Sequence, residues 1–489
     1  MISSKPKTGI PKQNRIFVNR SLNFGNIKLV GFDMDHTLAP YNKESFESLS
    51  FQKTLEKFIE AGYPQELSTF TYKHNFLIRG LMVDKERGNV LKVDSHKYVK
   101  DAYHGYKRLT KEERQTLYNQ PGFNSQNFIT VDTFFALSEV QLFVDLVQYN
   151  SDNPGRISKS FSEIYKDLRK FIDASHADGS IKNEVLRFPE KYLMKDKHLA
   201  RTLVRLIDSG KRLFLLTNSQ YAYTQSIMSY VLHQAHEDFD SWQDYWDYII
   251  VGASKPGFFT GTQPFFEVQE HSGLLKVHSG SLTNAAFFGG NARLFESLTG
   301  FSGDEILYVG DHIYGDIIRS KGVLNWRTML IIKELEEEIP KIENSLSYLQ
   351  SMDEILEDKE ALDEELQKIR SLKAATRRQL QRAYQTGDEK KIHNLETSDN
   401  RLEERLNNNK KLLKTMETRI KDLIEEREKM FHPIWGELMK VGLERSRFAH
   451  QVCNYACLYS SGVSNLRYYS PYKKFTSLLE KLPHEMHGK

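Results

Sequence analysis

Two carboxylates one residue apart, Asp33 and Asp35, follow an apolar run at residues 29–32. Strand alternation places both side chains on the same side, at the start of a loop that continues with Thr37. One carboxylate can attack a phosphorus atom while the other handles the proton of the leaving group, and both can share a Mg²⁺ ion with the phosphate. The pattern therefore favours phosphoryl transfer, although the short motif also fits an acidic loop after an ordinary strand.

Three later segments carry the other groups that phosphoryl transfer needs, each at the end of an apolar run. Thr217 and Asn218 offer a hydroxyl and an amide that can hold phosphate oxygens. Lys255 can neutralise the charge on the nucleophile and on the phosphate. Asp311 and Asp316 follow the last run, where Asp311 is placed to take a metal ion. Each segment alone is typical of a turn or a strand end, but the four in this order together indicate an active site.

These four segments resemble the four motifs of the haloacid-dehalogenase-like (HAD-like) phosphatase superfamily. Within it, the chain resembles the cytosolic purine 5′-nucleotidase family, whose members prefer IMP and GMP. The resemblance covers most of residues 15–335 and returns at 448–469. It rests on the segments 17–22, 31–38, 62–67, 91–94, 217–219, 310–313, 448–452 and 468–469.

The resemblance implies a Mg²⁺-dependent 5′-nucleotidase that hydrolyses IMP, GMP and their deoxy forms to nucleoside and phosphate. Asp33 is expected to form an aspartyl phosphate, and Asp35 to act first as general acid and then as general base. The expected metal site uses Asp33, Asp311 and the main-chain carbonyl of Asp35, with Asp316 in support. The same intermediate would allow phosphotransfer to a nucleoside, which the family also shows.

A second set of polar groups falls in the insertion between the first two motifs. Arg169, Asp173 and His176 are spaced to share one helix face, as an exposed salt-bridged face would also be. The resemblance implies that these three and Lys182 bind the purine nucleotide, and that Phe135 stacks the base. A 6-oxopurine presents a carbonyl acceptor beside an N1 donor, which Arg and Asp can read together.

Two features depart from the family pattern. Ala136 stands where the relatives carry Asn, so a hydrogen bond to base or ribose is expected to be missing. The positions aligned with the effector pocket of animal members are Gly122, Asp132, Tyr314, Gly322, Gln451 and Asn454. Several cations expected in that pocket are absent and Asp132 would repel an anion, so ATP is expected to activate weakly or not through that pocket.

The order of motifs predicts an α/β fold with a doubly wound parallel sheet, whose catalytic groups lie at the carboxyl edge. Core strands are expected near 27–38, 212–217, 248–252 and 305–310. Cap helices are expected at 134–148 and 161–177. The expected domains are a HAD-like core at 1–45 and 186–345, an inserted α+β cap at 46–185, a helical hairpin at 346–430 and a C-terminal helical segment at 431–489 that packs on the core.

Residues 351–430 are rich in Glu, Lys, Gln and Arg and contain no proline. Apolar residues recur there at intervals of three, four and seven, which predicts a coiled-coil seam, and residues 386–388 look like the turn of an antiparallel hairpin. Two interpretations stay open: a hairpin that packs only on its own core, or an interface with another subunit or partner. The family resemblance implies a homo-oligomer.

Composition agrees with an enzyme of the cytoplasm. The 489 residues allow two or three domains. Lys and Arg total 68 against 65 acids, and a net charge of +3 gives no argument for nucleic acid as a partner. The chain has two cysteines, Cys453 and Cys457, lacks an apolar signal core at its start, and has no run long enough to cross a bilayer. We therefore expect neither a membrane nor a nucleic-acid partner.

Two other functions fit parts of the pattern. A HAD phosphatase of another phosphorylated metabolite would keep the core motifs and differ only in the cap. A non-catalytic scaffold would act through the helical hairpin, but the intact acids and Lys255 of the core argue against it.

Overall fold

The chain is described by a computed structural model over residues 9–120, 128–233, 235–269, 275–278, 280–283 and 285–477. It divides into two compact units, one formed by Met1–Ile339 with Glu437–Lys489 and the other by Pro340–Gly436. The predicted hairpin at 346–430 lies within the second unit. The predicted boundary between core and cap falls inside the first unit and stays a prediction.

The described residues form strands β1 Phe17–Val18, β2 Leu22–Asn23, β3 Leu29–Phe32, β4 Met82–Asp84, β5 Asn89–Val93, β6 Val99–His104, β7 Lys107–Arg108, β8 Ile129–Thr130, β9 Arg212–Leu216, β10 Tyr248–Val251, β11 Phe265–Val268, β12 Leu275–Val277, β13 Ala286–Gly289, β14 Ile306–Gly310, β15 Arg327–Ile331, β16 Lys440–Val441, β17 Glu444–Arg445, β18 Leu458–Ser460 and β19 Lys474–Phe475.

The helices are α1 Lys43–Glu60, α2 Lys111–Leu117, α3 Phe135–Asp152, α4 Phe161–Ala177, α5 Ser180–Arg187, α6 Pro189–Tyr192, α7 Leu199–Asp208, α8 Tyr221–Leu232, α9 Gly257–Thr260, α10 Ala292–Thr299, α11 Arg319–Leu324, α12 Leu335–Asn344, α13 Leu346–Thr386, α14 Glu389–Glu428 and α15 Arg447–Tyr455. Among the described residues, no helix combines the length and the apolar character needed to cross a membrane.

The largest sheet of the described residues has ten strands, in the order β1-β18-β15-β14-β3-β9-β10-β13-β11-β12. Neighbours from β18 to β13 pair in parallel, and β1, β11 and β12 add antiparallel pairs at the two edges. The four predicted core strands correspond to β3, β9, β10 and β14. Strand β3 lies between β14 and β9, so the segment that carries Asp33 leaves the middle of the sheet.

Both faces of this sheet are buried, which explains why its strands read as continuous apolar runs. Val30 of β3 packs in a cluster with Leu203 of α7 and Ile227 of α8. Leu29, its neighbour in the same strand, packs in a separate cluster with Phe295 of α10. Because successive side chains point to opposite faces, one strand serves two helical layers. The predicted doubly wound α/β fold is confirmed.

The segment between β3 and β9 contains helices and a separate antiparallel sheet, in the order β7-β6-β5-β4-β8. The predicted helices correspond to α3 and α4. Helix α4 begins with a capping box, in which Ser160 and Glu163 satisfy each other's backbone N–H groups. Its apolar stripe, including Leu168 and Ile172, is buried. This combination of sheet and helices agrees with an α+β insertion.

The C-terminal segment is less helical than predicted. It contains one α-helix, α15, but also strand β18, which pairs in parallel with β15 inside the central sheet. Strand β1 pairs antiparallel with the other side of β18. The description of 431–489 as helical is therefore wrong for β18, because a three-residue strand is too short to show a period of two in the sequence. Residues 478–489 lie outside the described residues.

The second unit is a helical hairpin, and the predicted turn is confirmed. Helix α13 ends at Thr386, Gly387 follows with a positive φ of 69°, and α14 begins at Glu389. Leu366, Ile369 and Leu406 form a buried cluster between the two helices. The predicted seam is thus covered within the chain, which favours the interpretation that the hairpin packs on its own core. A homo-oligomer stays a prediction.

The centre of the sheet depends on Gly31 having no side chain. Gly31 of β3 is paired with Phe214 of β9, and a Cβ atom on Gly31 would collide with the Phe214 ring. We expect Gly31→Ala to lower stability by about 1–3 kcal/mol, the usual cost of overpacking a core, and to lower the thermal unfolding midpoint. Gly322→Ala is the matched control, because its Cβ would meet open space. Equal midpoints for the two variants would contradict this account of the packing.

Candidate active site

The ends of four parallel strands bring the predicted catalytic residues to one edge of the sheet. Asp33 directly follows β3, Thr217 follows β9 and Asp311 follows β14. Lys255 lies four residues beyond the end of β10. Because parallel neighbours all end at the same edge, groups that are far apart in the sequence meet there.

Lys255 forms ion pairs with two of the acids at this edge of the sheet. Its Nζ lies 2.7 Å from Asp33 Oδ1 and 2.8 Å from Asp316 Oδ1, and it donates to the Tyr308 hydroxyl at 2.9 Å. Burial disfavours its charge, but Asp316 and Asp33 outweigh burial and raise the pKa of Lys255. The side chain is therefore held as a cation beside Asp33, where a phosphate group would meet it.

Three buried carboxylates lie close enough to hold one cation. Asp33, Asp311 and Asp316 each offer an oxygen within 4.8 Å of the others. Asp311 Oδ2 is buried and has no hydrogen-bond partner among the described residues. Burial, followed by the charges of Asp316 and Asp33, raises the pKa of Asp311 well above its usual value. A hard divalent cation would satisfy the unpartnered oxygen and offset the repulsion, so these residues fit a metal ion.

Asp33 and Asp311 are further held by groups that are not metal ligands. Burial raises the pKa of Asp33 to about 7, with the nearby Lys255 opposing the shift. The fully buried Arg79 donates from Nη1 to the main-chain oxygen of Asp311 at 3.0 Å and pairs with Glu334. Arg79 thereby fixes the backbone of the loop that carries Asp311.

Asp35 faces different partners from Asp33. Its Oδ1 accepts a hydrogen bond from the Tyr41 hydroxyl at 2.7 Å, and its Oδ2 accepts one from Ser219 Oγ at 2.9 Å. The Tyr41 hydroxyl in turn lies 2.9 Å from the Tyr223 hydroxyl. Burial raises the pKa of Asp35, although these two hydrogen bonds oppose the shift. A carboxyl with a raised pKa, held at both oxygens, is suited to carry a proton.

Two of the three predicted phosphate-binding residues, Thr217 and Asn218, also organise the site. Asn218 accepts from the Lys255 backbone N–H at 2.6 Å and donates to the Lys255 carbonyl at 3.1 Å, so its amide fixes the segment that carries this cation. Thr217 Oγ1 accepts from the Ser219 N–H at 3.0 Å, which leaves its own hydrogen free to donate. Each retains at least one donor for a phosphate oxygen.

A cavity of about 770 Å³ extends from this edge, a size typical of small-molecule sites. Its lining includes two residues of the sheet edge and all five predicted nucleotide-binding residues: Asp35, Asn218, Phe135, Arg169, Asp173, His176 and Lys182. Ala136 lines it as well. The structure thus brings together the two groups of residues that the sequence suggested separately.

Within the cavity, Arg169 is held by two carboxylates. Its Nη1 donates to Glu139 Oε2 at 2.5 Å, and its Nη2 donates to Asp173 Oδ1 at 2.6 Å. Glu139 is buried and also accepts from the Tyr165 hydroxyl at 2.6 Å. The His176 ring lies edge-on to Phe135 at 6.3 Å between ring centres. Burial, followed by the charge of Lys182, lowers the pKa of His176 to about 4, so its ring is neutral.

The sequence alone did not assign a role in the site to Glu139, Ser219, Tyr41 or Arg79. Glu139 could have been found, because it lies four residues after Phe135 and so shares its helix face. Ser219 was part of a motif without an assigned role. Tyr41 and Arg79 gave no signal, since their contacts join segments without any shared periodicity.

The positions aligned with an effector pocket are only partly described. Gly122 lies outside the described residues. Asp132 is largely buried. Burial raises its pKa to about 6, although the charges of the nearby Arg447 and Arg79 oppose the shift. The Tyr314 hydroxyl accepts a hydrogen bond from Arg319 Nη2, and Asn454 Nδ2 lies 2.8 Å from His450 Nε2. Weak activation by ATP stays a prediction.

Comparisons with known proteins find relatives across nearly the whole chain. A 5′-nucleotidase domain-containing protein of Dictyostelium discoideum is 27% identical over 483 residues, which covers 96% of this chain and 74% of the relative. A predicted phosphoglycolate phosphatase from Haemophilus somnus 129PT is 13% identical in its crystal structure, with a TM-score of 0.28, and covers 63% of this chain and 85% of that chain. The structure of CbbY from Rhodobacter sphaeroides in complex with phosphate is 12% identical in sequence, with a TM-score of 0.22. That match covers 62% of this chain and 86% of the CbbY chain.

The model of the 5′ nucleotidase family matches residues 16–487, which include every residue of the site described above. This chain is therefore a phosphoric monoester hydrolase and belongs to the 5′ nucleotidase family.

Proposed function

We propose that this protein is a Mg²⁺-dependent 5′-nucleotidase that hydrolyses purine nucleoside monophosphates, with IMP, GMP and their deoxy forms as the preferred substrates. One observation carries the proposal. A single cavity joins Asp35 and Asn218 of the sheet edge to the aromatic, cationic and anionic groups of helices α3 and α4. A nucleotide needs both ends of such a cavity, one for its phosphate and one for its base.

The carboxylates of Asp33 and Asp311 would hold the metal, together with the main-chain carbonyl of Asp35, and Asp316 would support them. All-oxygen ligands of this kind suit Mg²⁺, which also keeps several waters. When bound, the ion would neutralise charge on the phosphoryl oxygens. Asp316 also accepts from Lys255, so one carboxylate would connect the metal site to the catalytic cation.

The protein residues divide the two chemical steps between them. Asp33 attacks the phosphorus atom, its oxygen forms the new P–O bond, and the bond from phosphorus to the nucleoside O5′ breaks. Asp35 gives its proton to the departing O5′. Asp35 then accepts a proton from the water that attacks the aspartyl phosphate, which restores both carboxyl groups. Lys255 stays beside the reacting oxygens throughout and stabilises their negative charge.

Base recognition would use the group around Arg169. Two of its N–H groups are engaged by Glu139 and Asp173, which orients the guanidinium and leaves other donors for a purine carbonyl. Asp173 can accept from the N1–H of a 6-oxopurine. Adenine reverses both hydrogen-bonding partners, so AMP should be a poorer substrate. Phe135 would supply the stacking surface.

The proposal extends to phosphotransfer. A nucleoside that occupies the same cavity after the first departs would present its 5′-hydroxyl to the aspartyl phosphate in place of water. Asp35 would accept the proton of that hydroxyl as it does from water.

A phosphate-release screen tests the function directly. The purified chain is incubated with Mg²⁺ and each nucleoside monophosphate in turn, with glucose 6-phosphate and phosphoglycolate as non-nucleotide esters. We expect the highest kcat/KM for IMP and GMP. A higher value for a non-nucleotide ester would overturn the purine assignment and favour a HAD phosphatase of another metabolite.

A separate prediction concerns the cap residues Arg169 and Asp173. Arg169→Ala or Asp173→Ala removes a charged hydrogen-bonding group worth about 1.5–3 kcal/mol, so kcat/KM for IMP should fall about tenfold to just over a hundredfold. Hydrolysis of p-nitrophenyl phosphate should change little, because this small substrate does not reach those groups. Lys170→Ala, an exposed neighbour on the same helix, is the control. Equal losses on both substrates would show that α4 supports only the fold.

A further inference from the structure

A second cavity, of about 410 Å³, lies beside the catalytic loop. Its lining includes Thr37 and Leu38, which follow the two catalytic carboxylates, and Lys333, which follows β15. Residues 194–199, which lead into α7, and residues 461–465 with Arg467 also line it. The lining shares no residue with that of the nucleotide cavity. It is therefore a separate site, and nothing in the nucleotidase reaction uses it.

Positive charge dominates this second cavity. Lys195, Lys197, Lys333 and Arg467 line it, against the two acids Asp196 and Glu336. Both acids already have partners. Glu336 accepts from Lys333 Nζ at 2.7 Å, and Asp196 accepts from the His198 backbone N–H at 2.9 Å.

Arg467 donates to the Ser464 carbonyl at 2.9 Å and to the Tyr468 hydroxyl at 2.7 Å. Of the lining cations, the two lysines of the loop before α7 therefore have the most donors available for a ligand. Both are exposed, and Lys197 has no ion-pair partner among the described residues. Lys195 rests over the Tyr230 ring, 4.1 Å from its centre, which leaves its ammonium hydrogens for other acceptors. The amino-terminal end of α7 lies at the same place and adds the positive end of a helix dipole.

Buried hydroxyls in the lining point to a ligand rather than to a solvated surface. Thr37 is 6% exposed and Ser464 is 3% exposed, yet neither hydroxyl oxygen has a hydrogen-bond partner among the described residues. An unpaired buried hydroxyl costs free energy, which an oxygen-rich ligand in the cavity would recover. Such atoms are what a bound anion needs in addition to exposed lysines.

The lining also restricts the class of ligand. Its described residues include no Phe, Tyr or Trp, whereas the nucleotide cavity is lined by Phe46, Phe135, Tyr165 and other aromatic residues. A purine or pyrimidine base would find no aromatic side chain to stack on. The remaining apolar residues, such as Met194 and Val463, can contact only a small aliphatic portion.

We propose that this cavity is a second anion site, which binds a small non-aromatic polyanion of the polyphosphate or phosphorylated-metabolite class. Lys195 and Lys197 supply the charge, and the Thr37 and Ser464 hydroxyls donate to the anion's oxygens. Because Thr37 belongs to the same loop as Asp33 and Asp35, the bound anion contacts the segment that positions the catalytic carboxylates.

Binding of inorganic tripolyphosphate to the full chain tests the proposal without relying on turnover. Titration calorimetry is done in EDTA, so that a metal complex at the catalytic carboxylates does not form. We expect Lys195→Glu combined with Lys197→Glu to weaken binding by at least about tenfold, because two attractive charges become repulsive. Lys191→Glu, a nearby exposed lysine outside the lining, should bind like the parent and controls for overall charge.

Two further measurements make the outcome decisive. Ser464→Ala removes a hydroxyl that has no hydrogen-bond partner among the described residues, so the fold should be unaffected. Binding of tripolyphosphate should weaken about twofold to tenfold. Saturating IMP should not displace tripolyphosphate from the parent protein. Unchanged affinity in the double lysine variant, or displacement by IMP, would overturn the second site, and neither result would bear on the nucleotidase proposal.

Discussion

Asp33→Asn is expected to abolish metal-dependent phosphate release from IMP while the protein still folds and binds nucleotide. The change removes the attacking oxygen's negative charge but hardly any volume. Asn can still accept from Lys255 Nζ, which lies 2.7 Å from Asp33 Oδ1 in the native protein. Release is measured with Mg²⁺ by phosphate detection, and IMP binding is measured separately by calorimetry. An Asp33→Asn protein with near-normal release would refute the covalent mechanism.

A matched variant shows that this loss is specific to the site. Asp304→Asn makes the same chemical change at an exposed carboxylate shortly before β14, where the side chain is 71% exposed. We expect its turnover to equal that of the parent. Comparable thermal midpoints for the two variants would attribute the loss in Asp33→Asn to chemistry and not to unfolding.

Asp35→Asn should reduce turnover of IMP by roughly 10²–10⁴, the usual loss when a general acid or base is removed. Asn can keep hydrogen bonds to Tyr41 and Ser219, because each hydroxyl can donate or accept, so the loop geometry should persist. Steady-state kcat and kcat/KM for IMP measure the effect. A loss below about tenfold would show that Asp35 handles no proton in the slow step.

The choice of leaving group separates the two tasks of Asp35. The p-nitrophenolate ion leaves without needing a proton, so its release from Asp35→Asn should be fast in the first turnover. Hydrolysis of the aspartyl phosphate still lacks its base and should then limit the rate. Stopped-flow absorbance should therefore show a burst of p-nitrophenol equal to the enzyme concentration, followed by slow turnover. Rapid turnover without a burst would mean that Asp35 acts only as the acid, because neither step with this leaving group would then need it.

The sheet-edge residues were predictable because a parallel sheet converts order in sequence into proximity in space. Each of Asp33, Thr217, Lys255 and Asp311 follows an apolar run, and parallel pairing alone brings the ends of those runs together. The cap residues were predictable for a different reason, since Arg169 and Asp173 are one helical turn apart.

The supporting contacts could not be predicted, because they join segments that no sequence period relates. Arg79 reaches Asp311 across more than two hundred residues, and its contact is with a backbone oxygen that has no residue type to recognise. Tyr41 holds Asp35 from within an irregular loop. Strand β18 was not predicted, because its three residues are too few to show an alternating pattern. Its place in the sheet is fixed by pairing with β15 and β1.

The place of β18 in the sheet has a consequence for how the protein is made. Strand β1 is synthesised before the other strands of this sheet, yet it pairs with β18, which is synthesised after all the others. Until then, β15 presents an open sheet edge that another chain could join. The nascent chain therefore exposes the open edge of β15 from the synthesis of that strand until β18 is made, and this is the stage at which a chaperone would protect it.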